Sequence, residues 1–169
     1  DDLLVAPFAL TLPPGPGAAI GVGARNIASI IGISIASRHI GGWSMQRWML
    51  LAAVALSWSM GSEMLIDIWQ AHALLLPFLL LLVLMVGCTA GRRTCVPWAV
   101  FVGSVLIQTH ISYAYVLGAL VIAALGVSWW LHRPVERATV TRSLTSRTAA
   151  VTAVVFVLCW IQPLYEQFF

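Results

Sequence analysis

Thirty-nine consecutive residues, Thr94 to His132, contain no Asp, Glu, Lys or Arg. As one helix they would run nearly 60 Å at about 1.5 Å per residue, about twice the roughly 30 Å hydrocarbon layer of a bilayer. The run must therefore turn, and Gln108-Thr109-His110 is the strongly polar cluster inside it where the turn is expected. Two more uncharged runs, of 24 residues from Ile68 to Gly91 and of 18 from Thr148 to Tyr165, can each cross or nearly cross the same layer. A soluble domain is excluded, because only 9% of residues are charged and 60% are hydrophobic, against about a quarter and a half in soluble domains. The expected fold is all-α, a polytopic transmembrane helix bundle.

Nine basic residues stand against six acidic ones, for a net charge of +3. All nine are arginines, none is interleaved with aromatics as a stripe, and no polar domain is large enough to hold DNA or RNA, so nucleic acid is excluded as a partner. Cys88, Cys95 and Cys159 are isolated thiols without ligand or redox spacing. The chain opens Asp1-Asp2 with no methionine or signal-like segment, which leads us to expect a single transmembrane domain, 1–169, excised from something longer.

Hydrophobic blocks read against breakers give about six spans, near 18–37, 46–61, 72–90, 95–108, 112–131 and 148–162. The loops between them sort by charge. Arg38 and Arg47 flank the first, Arg92 and Arg93 the third, and Arg133, Arg137, Arg142 and Arg147 the fifth, while the second and fourth carry no arginine. The positive-inside rule then puts loops one, three and five in the cytoplasm and both ends on the extracytoplasmic side. Arg25 is the exception. It lies beside Asn26 within the first apolar block, where a lipid-facing charge would cost several kcal/mol, so it should face protein or a wet cavity.

This topology gathers the chemistry-bearing side chains on the outer face: Asp1, Asp2, Glu63, Asp67, His72, Gln108, His110, Tyr113, Gln162 and Glu166. Glu63 and Asp67 are four residues apart and would share a helical face if the second span continued through Gly61-Ser62. Two carboxylates so placed need a cation, metal or shared proton between them, which suggests a general base or a metal-assisted site, with a divalent cation as candidate cofactor. The alternative is a pair of solvated caps. His72 offers a nitrogen ligand or a phosphate contact, and Trp69 a stacking platform. The other tryptophans are better read as an interfacial belt. Gln108, Thr109, His110, Ser112 and Tyr113 need water, one another or a polar ligand, so they either line an outward cavity or form an interfacial turn. Pro163 is expected to end the last span. Gly21, Gly23, Gly32, Gly103, Gly118 and Gly126 are read as packing glycines. There is no Walker loop, G-x-S-x-G elbow, H-E-x-x-H or CxxC pair.

The segments Asp67-Ile68-Trp69-Gln70-Ala71-His72 with Leu76-Pro77-Phe78, then Gln108-Thr109-His110 with Tyr113, then Trp160 to Gln167, together with Pro14-Gly15-Pro16, resemble in order the motifs of actinobacterial polytopic glycosyltransferases of the GT-C class. That family carries D-x-W-N-P-H-like, L-P-F, Q-T-H-x-x-Y and W-x-P-P-x-x-D-Q-like segments. Gln70-Ala71 replaces its Asn-Pro here, and Glu166 its aspartate. The resemblance implies a hexosyl- or pentosyltransferase of the plasma membrane. It would move a sugar from a polyprenyl-phosphate donor to a carbohydrate, lipid or protein acceptor on the outer face. Asp67 and Glu63 would then be the catalytic candidates, with Trp69, His72, Gln108, His110, Tyr113, Gln162 and Glu166 binding substrate. The family's usual outer-loop aspartate base has no counterpart with a matching neighbourhood. Composition alone also fits a non-enzymatic membrane module, a transporter fragment or an assembly subunit.

Overall fold

The computed structural model describes residues 14–61, 66, 73–131 and 146–168. Every described element is helical: α1 (Pro14–Met60), α2 (Leu75–Thr89), α3 (Cys95–Thr109), α4 (Tyr113–Leu131) and α5 (Ser146–Phe168). Pro16–Met60 and Tyr113–Trp130 are long and apolar enough to cross a membrane. The expectation of about six spans is therefore met only in part. α2 and α3 have 15 residues each, about 22 Å, short of the roughly 30 Å layer.

α1 is not one rod. Gly42 takes φ 70° and ψ −160° after Gly41 at φ −129° and ψ 15°, and the former pair is open essentially to glycine alone. Gln46 Nε2 donates to Ser34 Oγ at 2.6 Å. In an unbroken helix those residues would stand about 18 Å apart along the axis, so the two arms fold back on each other. Ile30, before the break, packs with Ala53 and Leu56, after it, in one cluster that also takes Leu75, Leu76 and Leu79 of α2. At the turn, the Arg38 guanidinium lies 4.0 Å from the Trp43 ring centroid, and Arg47 Nε donates to the Trp43 carbonyl at 3.4 Å.

The chain forms two compact units. The first reaches to Val83 and takes in Gln108–His110. It holds the α1 hairpin and the start of α2, with the Leu80 side chain against the backbone of Gly32. The second comprises Leu84–Ile107 and everything from Ile111. Within it, α3 and α4 make a hairpin. Gly103, seven residues before His110, leaves no room for a Cβ beside Leu117 Cδ2, which would lie 2.7 Å away. The helices break at 110–112, where the polar cluster was expected to turn the chain.

Two expectations are corrected, and the end of α1 is fixed. Met60 is the last residue of α1, and Gly61 is left-handed at φ 87°, a conformation that ends a helix. Glu63 and Asp67, expected to share a helical face, lie outside the described residues. Pro163 does not end the last helix, since α5 runs through it to Phe168. A proline removes one backbone donor and forces no stop where neighbouring groups satisfy what it frees. Among the described residues no heavy atom lies within 4 Å of where a Cβ of Gly118 or Gly126 would stand, so packing against the described residues explains Gly32 and Gly103 but not those two.

Candidate functional site

Burial along the first arm of α1 is inverted relative to a soluble helix. Ile20, Ile27, Ile31 and Ile35 are exposed, whereas Arg25 (8% exposed), Asn26 (1%), Ser29 and Ser37 are buried. In water this arrangement would leave isoleucine wet and arginine dry, against both preferences. In lipid it is the favourable solution, with apolar side chains outward and the few polar ones turned to protein. The serines sit at helical spacing from Arg25 and return their hydroxyls to the helix: Ser29 Oγ donates to the Arg25 carbonyl at 2.9 Å, and Ser37 Oγ to that of Ile33. That spares each a partner elsewhere.

Arg25 is therefore inside protein, as its place in an apolar block required. Its Nε and the Asn26 Oδ1 make no hydrogen bond among the described residues, while both residues are engaged through other interactions. Arg25 stands eleven residues after Pro14 and sixteen before Gly41, about 16 and 24 Å along the helix, near the middle of the arm.

Gln108 and His110 belong to the same compact unit as Arg25. Gln108 is half-buried and His110 exposed. Tyr113, half-buried, opens α4 in the second unit, where the Ala114 amide donates to the Ile111 carbonyl at 2.9 Å. Gln162 and Glu166 lie on α5, but their side chains are outside the described set. Glu63, Asp67, Trp69 and His72 also lie outside the described residues, as do Asp1 and Asp2. Among the described residues no three His, Cys, Asp or Glu side chains converge on a metal position.

Two polar features escaped the reading of the sequence. The Arg25–Ser29–Ser37 face was legible as a four-residue period opposite Ile27, Ile31 and Ile35, had serines been counted with the charge. The other is long-range: Trp160 Nε1 donates to the buried Ser104 Oγ at 3.2 Å, and the Trp160 ring stacks on Phe156. Trp160 thus ties α5 to α3, while Trp43, Trp48, Trp58, Trp98, Trp129 and Trp130 are all exposed. No known family, curated protein or solved structure matches the chain.

Proposed function

We propose that the chain is a multi-pass membrane glycosyltransferase, or the membrane scaffold of one, working at the outer face of the plasma membrane on a polyprenyl-phosphate sugar. The observation that carries this reading is the buried Arg25 with Asn26, set in a helix whose outer surface is isoleucine and sharing a unit with Gln108 and His110. A charge kept inside an apolar helix is costly unless it has work to do, and a fixed guanidinium suits the phosphate of a lipid-borne donor. The donor would enter from the bilayer and the acceptor hydroxyl from water. Asp67 or Glu63 would take the hydroxyl proton, with or without a divalent cation, and cationic groups would stabilise the departing lipid phosphate.

The test uses membranes carrying the protein and a radiolabelled polyprenyl-phosphate sugar. Asp67→Asn is expected to lower transfer by roughly 100-fold or more, and undiminished turnover rejects the role. Arg25→Met is expected to raise the donor KM by about tenfold or more while the melting temperature holds. The second expectation follows because exchanging a buried charge for an apolar side chain of similar volume is often neutral or stabilising. Solute flux through proteoliposomes without sugar transfer would favour the transporter reading instead.

A further inference from the structure

The first turns of α3 and α5 border an open groove of about 410 Å³, lined by Val96, Val100, Ala149, Thr152, Ala153 and Phe156. Val96 and Val100 face Ala149 to Phe156, and further along both helices Ser104 meets Trp160. Partners thus advance together on the two helices, which run parallel and begin at the same end. That end carries exposed arginines. Arg92 and Arg93 immediately precede α3, and Arg147 is the second residue of α5.

The approach to α3 is fixed by its backbone. The Arg92 amide donates to the Gly87 carbonyl at 2.9 Å and the Gly91 amide to that of Cys88 at 3.0 Å, the bond pair of a Schellman cap. Cys95 and Val96 then donate to the Arg92 and Arg93 carbonyls. Two helix N-termini add positive partial charge to the three guanidinium groups. Among the described residues no carboxylate stands at this mouth.

We propose that the groove binds one acyl chain of an anionic phospholipid, whose phosphate is held by Arg92, Arg93 and Arg147. The walls are hydrocarbon, and the one polar wall residue, Thr152, keeps its Oγ1 buried, which leaves a peptide or a sugar nothing to hydrogen-bond. The mouth has the opposite character, and charge complementarity there selects phosphate. From Ala149 to Phe156 the groove runs about 10 Å along the axis, enough for the part of a chain next to its headgroup. Phe156, stacked on Trp160 at 5.8 Å, gives the far end a firm wall. By the arginine rule this end is cytoplasmic, so the site lies in the leaflet opposite the proposed sugar chemistry and does not depend on it.

The whole chain, purified in non-ionic detergent, is titrated with phosphatidylglycerol and phosphatidylcholine of identical acyl chains, and bound lipid is counted by native mass spectrometry. Phosphatidylglycerol is expected to bind about tenfold or more tightly than phosphatidylcholine, with one molecule retained. The combined Arg92→Gln, Arg93→Gln and Arg147→Gln variant should bind the two alike, and Ala153→Phe should weaken both. Equal binding of the two lipids to the unmodified chain overturns the proposal, as does a headgroup preference that survives loss of the arginines. Displacement of phosphatidylglycerol by a lower concentration of polyprenyl phosphate also overturns it, because the groove is then a carrier-lipid site. The headgroup comparison needs no variant and decides the matter even where one fails to fold.

Discussion

Thr152 keeps its Oγ1 buried on α5 with no hydrogen-bond partner among the described residues. Ser29, Ser37 and Ser57 each return their hydroxyl to the carbonyl four residues earlier. An unsatisfied buried hydroxyl costs about 1–3 kcal/mol, and valine keeps nearly the same shape without it. Thr152→Val is therefore expected to raise stability by about 1 kcal/mol, read as a shifted midpoint in a denaturant titration of the detergent-solubilised chain. A clear loss would mean that the hydroxyl has a partner. Arg25 obeys a different rule. Its Nε makes no hydrogen bond among the described residues, while the residue is engaged through other interactions.

Helices are shaped here by two kinds of glycine, and the sequence does not tell them apart. Gly42 has no heavy atom within 4 Å of a Cβ position, yet its φ of 70° with ψ −160° admits little but glycine. Gly42→Ala is expected to destabilise the α1 hairpin by about 1–3 kcal/mol through backbone strain alone. Gly118→Ala and Gly126→Ala, in regular helix with nothing nearby, should be neutral or stabilising by up to about 1 kcal/mol. Unfolding midpoints for the three variants check the contrast. A loss at Gly118 as large as at Gly42 would point to close packing against another molecule. The 108–112 turn was readable because polar residues interrupt a long apolar run there, and the Gly41–Gly42 break because it falls between Arg38 and Arg47. Trp160 and Ser104, 56 residues apart, share no local pattern, so their bond was invisible. Pro163 misled because a proline removes one helix bond without necessarily ending the helix, and α5 runs through it to Phe168. The site was less legible than the fold. The sequence marked Arg25 as needing protein around it, whereas Glu63 and Asp67 lie outside the described residues.

At the scale of the molecule, the arginines impose one demand. Arg38, Arg47, Arg92, Arg93 and Arg147 are exposed at helix ends or turns, and Arg25 is the described arginine that is buried. If the exposed set lies in the cytoplasm, the α1 hairpin turns there, and the α3–α4 hairpin, with Gln108 and His110, turns on the other side. The sugar-transfer proposal needs the histidine-bearing turn outside, and the arginine rule assigns the lipid groove to the cytoplasmic leaflet. The native thiols Cys88, Cys95 and Cys159 are replaced by alanine, and single cysteines are then placed at positions 67, 93, 110 and 142 in turn. In intact cells a membrane-impermeant maleimide is expected to label positions 67 and 110, while 93 and 142 react only after the membrane is opened. Reaction of 67 and 110 from opposite sides would break up the proposed sugar site and leave the lipid groove standing. Reaction of 93 from outside would remove the cytoplasmic leaflet as the source of the groove's lipid.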